Sequence, residues 1–69
     1  MTKAERLLSL IDRETGKNAT LENSIDSLGL DSLEFVLLIQ ETEKEFDRVI
    51  PDDKWAELET VADILKAIE

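Results

Sequence analysis

Residues 27–40 read SLGLDSLEFVLLIQ, which places one serine at the start of a strongly apolar segment. Asp31 followed three residues later by Glu34 is the pattern of a capping box, in which each side chain accepts a hydrogen bond from the other residue's backbone amide. A strongly apolar run comes directly after this pair. The stretch therefore predicts a helix that begins beside Ser32 and continues to about Phe46.

Two further capping boxes mark the other main helices. Thr2 with Glu5 opens a first helix that Gly16 ends, and Thr60 with Asp63 opens a last one. Apolar residues recur at helical spacing after each cap. The inward faces are predicted to be Ala4, Leu7, Leu8 and Ile11 in the first helix, and Val61, Ile64, Leu65 and Ile68 in the last.

The connections between these helices carry turn signals and a few apolar anchors. Pro51 can end one element and open another, so a short helix is predicted over about Asp52 to Glu57. No stretch alternates with period two, so no strand is predicted. The fold class is all-α, a bundle of three main helices plus one short third helix, in a single domain over residues 1–69. Residues 15–30 form a loop that is expected to be pinned to the helices by Leu21, Ile25, Leu28 and Leu30.

Composition excludes several classes of function. The chain has no cysteine and no histidine, which removes disulfides, thiolate or imidazole metal sites and the usual neutral-pH general base. The net charge is −9, and residues 21–69 alone carry −10, so the chain repels nucleic acid and anionic membranes and attracts basic protein surfaces. The longest apolar run is too short to span a bilayer, and no secretion signal opens the chain, so we expect a cytoplasmic protein without membrane insertion.

Ser32 has a structural and a functional interpretation. Structurally, it is an ordinary first-turn residue of the helix that Asp31 caps. Functionally, a serine at a helix N-terminus can carry a phosphodiester, since the helix dipole favours negative charge there. Without a histidine to activate it, Ser32 is a poor nucleophile within an active site of its own. A functional role would therefore require another enzyme to modify it.

Residues 28–65, LGLDSLEFVLLIQETEKEFDRVIPDDKWAELETVADIL, resemble the acyl carrier protein family. In that family a Gly-x-Asp-Ser-Leu motif opens the second helix, and its serine carries 4′-phosphopantetheine. The later pairs Phe46-Asp47, Ile50-Pro51 and Thr60-Val61 recur there at the same distances from the serine. The resemblance implies a free-standing, monomeric carrier that is not an enzyme, and a function as a shuttle of acyl thioesters between fatty acid or related synthase enzymes.

The resemblance also implies roles for individual residues. A phosphopantetheinyl transferase would take the arm from coenzyme A with Mg²⁺ and attach it to Ser32, and Asp31 would contact that metal and the transferase. Acyl ligases, ketosynthases or acyltransferases would dock through basic surfaces. The expected recognition residues, besides Asp31, are Leu33, Glu34, Leu37, Glu41, Glu43, Glu45, Ile50 and Trp55. The expected core or acyl-pocket residues are Val36, Ile39, Gln40, Leu58 and Leu65.

Three positions leave alternatives open. Leu37 is either a core residue or an apolar spot for a different set of partners. If Gln40 points inward, it needs a hydrogen-bond partner and narrows any hydrocarbon pocket. Trp55 either covers the core and fixes the short helix, or forms an aromatic wall at the pocket mouth or a partner contact.

The function has two alternatives as well. A specialised aminoacyl or polyketide carrier of the same fold would use the same serine and the same arm. A small acidic helical interaction module without a prosthetic group would bind a basic surface directly.

Overall fold

The computed structural model describes residues 1–69 as four α-helices and one 3-10 helix, which confirms the predicted all-α class with three main helices and a short one. The only β-type pairing is an isolated antiparallel bridge between Ser24 and Thr60. None of the helices combines the length and the apolar character needed to cross a bilayer. The elements are α1 Lys3–Thr15, the 3-10 helix Asp26–Leu28, α2 Ser32–Phe46, α3 Asp52–Trp55 and α4 Val61–Ile68.

Reciprocal hydrogen bonds start the three long helices where the sequence predicts them. At α1 the Glu5 amide donates to Thr2 Oγ1 at 3.1 Å, and the Thr2 amide donates to Glu5 Oε1 at 2.9 Å. Each cap supplies an acceptor for an amide that the helix leaves unpaired, and a cap of this kind stabilises a protein by about 1 kcal/mol. The same reciprocal pattern joins Asp31 to Glu34 and Thr60 to Asp63.

Two of the four α-helices end in the left-handed backbone conformation. α1 stops at Gly16, which has φ +70° and donates its amide to Asp12 O at 2.8 Å, as the sequence predicts. α2 stops at Asp47, whose φ of +54° is the only positive value at a non-glycine residue. Aspartate tolerates this conformation better than most residues because its short side chain can bond locally.

The short helix ends earlier than predicted. α3 covers Asp52–Trp55 and does not reach Glu57. The amide of Glu57 donates to Lys54 O at 3.0 Å, and that of Leu58 donates to Trp55 O at 3.2 Å. These three-residue hydrogen bonds form tight turns in place of a further α-helical turn, because the chain has to reverse towards α4.

Twelve buried apolar residues form one core between the long helices. In α1 the fully buried side chains are Leu7, Leu10 and Ile11, whereas Ala4 and Leu8 are only half-buried. The predicted inward face of α1 is thus rotated towards Leu10, which the sequence prediction omitted. The core consists of Leu7, Leu10, Ile11, Ala19, Ile25, Leu28, Leu38, Ile39, Ile50, Val61, Ile64 and Ile68.

The long loop between α1 and α2 is fixed to the beginning of α4. Ile25 and Leu28 are buried in the core, and Leu21 and Leu30 pack against it, as expected. The amide of Ile25 donates to Glu59 O at 2.8 Å, and the amide of Val61 donates to Asn23 O at 3.0 Å. These bonds place the 3-10 helix, which the sequence prediction did not include, directly before α2.

The far end of α2 is joined to α1 by one arginine. Arg6 donates to the backbone oxygen of Glu45 at 3.1 Å and pairs with its carboxylate at 3.2 Å. The guanidinium also lies 4.6 Å from the centre of the Phe46 ring, a cation–π distance. These contacts hold the C-terminal end of α2 against α1.

Candidate functional site

Ser32 is the first residue of α2 and is exposed to solvent. Asp31 fixes the backbone in front of it, because Asp31 Oδ1 accepts from the Glu34 amide at 2.8 Å. In return, the Asp31 amide donates to Glu34 Oε1 at 3.2 Å. The capping box therefore holds the serine hydroxyl at a rigid helix start instead of on a mobile loop.

The amides of Ser32 and Leu33 have no acceptor within the protein. The amide of Glu34 is occupied by Asp31, so the first turn of α2 keeps two free donors next to the serine hydroxyl. Free amides together with the positive end of the helix dipole stabilise an anion at this position. The residues present thus fit a phosphodiester attached to Ser32.

Gly29 makes the turn that leads from the 3-10 helix into α2. Its φ is +70°, and its amide donates to Asp26 O at 3.1 Å. Nothing lies within 4 Å of the position that a Cβ would occupy, so the glycine is required by its backbone conformation and not by crowding. The turn leaves open space beside Ser32.

An open cleft of about 610 Å³ lies beside Ser32, between the loop, the start of α2 and α3. Its walls combine apolar and polar side chains, and no lysine or arginine lines it. A cleft of this size can hold part of a flexible organic group. The lining residues are Ser24, Ile25, Asp26, Leu30, Asp31, Ser32, Phe35, Trp55, Ala56, Leu58 and Glu59.

Trp55 fulfils two of the roles considered for it. Its indole Nε1 donates to Ile50 O at 2.9 Å, and its ring packs edge-to-face on Phe35, with the ring centres 6.2 Å apart and the planes at 85°. The half-buried ring packs against the core and also lines the cleft beside Ser32. Trp55 therefore both fixes α3 and forms an aromatic wall of the cleft.

Two leucines of α2 lie on the surface near Ser32. Leu33 is 66% exposed and Leu37 is 51% exposed, so the alternative that Leu37 is a core residue is wrong. A second cavity of about 310 Å³ lies beside Leu37 and is bordered by Glu14, Glu34 and Glu41. We call Leu33, Leu37, Glu34, Glu41 and Glu14 the leucine–glutamate face. It is an apolar spot surrounded by acidic groups.

Two other predicted recognition glutamates are engaged within the protein. Glu43 Oε2 accepts from the Ile50 amide at 2.6 Å, and Glu45 pairs with Arg6. Ile50 itself is only 2% exposed, so its side chain belongs to the core and not to a recognition surface, contrary to the prediction. Its neighbour Val49, which the sequence analysis did not select, is 83% exposed. The Pro51 turn places the isoleucine inside and leaves the valine outside.

The predicted core or pocket residues divide into three groups. Ile39 is fully buried in the core, Leu58 and Leu65 are half-buried and pack against it, and Val36 is half-buried. Gln40 is exposed, so the prediction that it lies in the core or the pocket is wrong.

The buried polar residue of α2 is Thr42, two positions after Gln40. The Thr42 hydroxyl donates to Leu38 O at 2.7 Å. The buried hydroxyl therefore has its hydrogen-bond partner within its own helix, and no buried side-chain polar atom is left unpaired.

The perturbed carboxylates lie at helix caps away from Ser32. Hydrogen bonds from the backbone amides of Glu59 and Thr60 lower the pKa of Asp63. Hydrogen bonds with the backbone and the side chain of Thr2 lower the pKa of Glu5. Nowhere do three carboxylates converge in a group that could hold a metal ion. The site therefore offers a hydroxyl, two free amides and a cleft, and it contains no acid–base pair poised for catalysis.

Comparison with known proteins agrees with this geometry. The profile of the family described as "Phosphopantetheine attachment site" matches residues 5–68. The acyl carrier protein of Lactococcus lactis subsp. cremoris (strain MG1363) is 38% identical over 72 aligned residues, which cover 100% of this chain and 96% of the relative. The chain belongs to the acyl carrier protein family. The acyl carrier protein of Phenylobacterium zucineum (strain HLK1) is 41% identical over 59 residues, which cover 86% of this chain and 75% of the relative.

Acyl carrier proteins are carriers and not catalysts, and their prosthetic group is 4′-phosphopantetheine. Membership explains how a chain without cysteine or histidine takes part in acyl chemistry, because the reactive thiol belongs to the prosthetic group and not to the polypeptide.

Proposed function

We propose that Ser32 carries the 4′-phosphopantetheine arm and that this protein shuttles acyl intermediates as thioesters between synthase enzymes. An exposed serine hydroxyl stands at the start of α2, with the free amides of Ser32 and Leu33 beside it and an open cleft next to it. When bound, the arm supplies a terminal thiol that forms the thioester.

The chain's own residues contribute positioning and electrostatics. Asp31 holds the first turn of α2 rigid through the capping box, so the hydroxyl is presented in one orientation to the transferase. The two free amides and the helix dipole stabilise the phosphodiester once it has formed. The Asp31 carboxylate is also available to contact the Mg²⁺ that the transferase brings.

Attachment is tested by intact mass spectrometry. The protein is incubated with a broad-specificity phosphopantetheinyl transferase, coenzyme A and Mg²⁺, and we expect the mass of one arm to be added. Ser32→Ala should add nothing. Ser9→Ala, which removes an exposed serine from α1, is the matched control and should be modified like the wild type. An unmodified wild-type protein beside an active transferase would overturn the proposal.

We propose further that partners dock on the leucine–glutamate face through a basic surface with an apolar centre. Exposed leucines surrounded by carboxylates complement lysine or arginine side chains around an apolar pocket. The buried Ile50 and the internally bonded Glu43 are left out of this face. Such contacts are fast, weak and salt-sensitive, which suits a carrier that has to leave each enzyme again.

The docking proposal is tested with the transferase as the partner. Leu37→Ala is expected to lower kcat/KM for arm attachment by about tenfold, the effect of losing one central apolar contact. Val49→Ala truncates an even more exposed aliphatic side chain beyond the other end of α2 and should leave the rate unchanged. Equal rates for the two variants would exclude Leu37 from the contact.

A further inference from the structure

The outward side of α2 carries a straight stripe of exposed residues. Leu33, Leu37, Gln40 and Lys44 follow one another at spacings of four, three and four positions, so they lie on one line along the helix. The buried residues of α2 lie on the opposite side. This outward stripe therefore faces solvent from the residue after Ser32 to the last turn of the helix.

The charge of the outward stripe changes sign along the helix. Near Ser32, its leucines belong to the leucine–glutamate face and are surrounded by carboxylates. Lys44 lies two helical turns beyond Leu37, about 10 Å away at 1.5 Å per residue. It is exposed, and the protein's salt bridges do not include it, not even with Glu41 one turn earlier. A partner that covers the whole stripe meets negative charge at one end and positive charge at the other.

The carboxylates next to Lys44 do not cancel its charge on the outside. Glu43 accepts a hydrogen bond from a backbone amide at 2.6 Å, and Glu45 is paired with an arginine at 3.2 Å. Asp47 is exposed beyond the last helical turn, and Arg48 directly follows it. The outer side of this helix end therefore keeps a net positive charge in a chain whose overall charge is −9.

We propose that Lys44 is a second contact for the enzymes that dock on α2, and that these enzymes place a carboxylate opposite it, about 18 Å along the helix from Ser32. This inference rests on the proposed docking at the leucine–glutamate face. The partner surface that fits has basic side chains around an apolar pocket near Ser32 and acidic side chains two helical turns further on. A uniformly basic surface would bring like charges together at Lys44, which selects against enzymes built for a carrier that is acidic along the whole helix.

Lys44 also lies in the last turn of α2, where a cation stabilises the helix through its dipole. That contribution belongs to the free protein and is the same with every partner. Only a direct contact makes the effect of Lys44 depend on the charge that the partner places opposite it. A double-mutant cycle that changes both charges separates the two roles.

The test uses a pair of synthetic helical peptides that differ only at one end. Both carry leucines and arginines at the end designed for the leucine–glutamate face. The far end carries glutamates in the first peptide and glutamines in the second. NMR titrations give the dissociation constants of both peptides for the wild type, Lys44→Gln and Lys66→Gln, below the melting temperature of each protein. Lys66→Gln is the matched control, because it removes the same charge from an exposed lysine of α4.

We expect the two lysine variants to differ. Lys44→Gln should raise the dissociation constant of the glutamate peptide relative to that of the glutamine peptide by about threefold, the effect of one exposed ion pair. Lys44→Glu should change this ratio further in the same direction. Lys66→Gln should leave the ratio unchanged, because charges beyond the contact are screened by salt. In the wild type, the amide signals of Leu37 and Lys44 should shift together as the glutamate peptide binds.

The outcomes separate this inference from the docking proposal. If Leu37→Ala weakens neither peptide, or if neither peptide binds, docking on the leucine–glutamate face is overturned, and this inference with it. If Leu37→Ala weakens both peptides but Lys44→Gln leaves the ratio unchanged, the contact at Lys44 alone is overturned. An equal change of the ratio in Lys66→Gln also overturns it, because Lys44 would then act only through net charge. Signals at Lys44 that shift with protein concentration in the absence of peptide would assign the lysine to a contact between copies of the chain and overturn the partner contact.

Discussion

The starts of α2 and α4 are built from the same capping box and end up in opposite environments. At α4, Val61 directly follows the cap and is fully buried, and the amides of Val61 and Ala62 donate to loop carbonyls, each at 3.0 Å. At α2, Ser32 and Leu33 follow the cap, are exposed and keep their amides free. One helix start is a structural joint, and the other is open to a ligand.

A local motif therefore fixes where a helix begins but not what its first turn does. Free donors remain at a helix start only where no other segment supplies carbonyls to pair with them. The loop supplies those carbonyls to α4 from Leu21 and Asn23, and it supplies none to α2. The free donors of α2 are therefore a consequence of how the loop is routed.

Replacing the buried apolar residue behind the α4 cap should change stability most. Val61→Ala removes two fully buried methyl groups and should lower the free energy of unfolding by about 2 kcal/mol. Leu33→Ala should change it by less than about 0.5 kcal/mol, because that side chain is mostly exposed. Urea denaturation of both variants measures the contrast. Equal losses would show that the two helix starts are equally buried in solution.

The caps themselves provide the next test. Asp31→Ala and Thr60→Ala should each cost about 1 kcal/mol, since each removes an acceptor from a helix N-terminus. Only Asp31→Ala should also slow arm attachment, because Thr60 lies where the start of α4 is bonded to the loop. The rate is followed by intact mass below the melting temperature of both variants. A similar slowing in Thr60→Ala would mean that the rate reports stability and not the Asp31 carboxylate.

The smallest effect concerns the pH dependence of the α4 cap. Hydrogen bonds from the Glu59 and Thr60 amides lower the folded-state pKa of Asp63 below its ordinary value of 3.8. Because the depressed pKa belongs to the folded state, the stabilisation is complete above pH 3.8 and is lost as the pH falls through the lower value.

Asp63→Asn should accordingly unfold at a lower urea concentration than the wild type at neutral pH. This difference between the two unfolding midpoints should disappear in acid. Asp53→Asn, which alters an exposed carboxylate that accepts no hydrogen bond, supplies the baseline. A difference in urea midpoint that stays constant down to pH 2 would show that the ionised Asp63 carboxylate does not stabilise the cap.

The parts of the fold that the sequence predicts are those that depend on neighbouring residues. The three capping boxes and the left-handed Gly16 act over three or four positions, so their patterns are visible in the chain itself. Burial of the loop through Ile25 and Leu28 followed from apolar residues in a polar segment. The serine at the start of α2 was found in the same way, although its modification stays a prediction.

The parts that the sequence missed depend on distant contacts. Arg6 and Glu45 are 39 positions apart, and no local pattern links them. Ile50 and Val49 are adjacent aliphatic residues, and only the packing of the α2–α3 turn decides which one is buried. Gln40 was misplaced for a related reason, because the rotation of α2 against the core, and not its composition, puts Thr42 inside.

The hydrogen bonds between the loop and α4 also determine how the amides at this contact exchange their hydrogens with water. The amides of Ile25, Val61 and Ala62 are all paired across the same junction, so they lose protection together if α4 separates from the loop. Their hydrogen exchange should follow a single opening event. Ile25 also lines the cleft beside Ser32, and the lifetime of that wall is therefore set by the docking of the last helix, at the opposite end of the chain from α1.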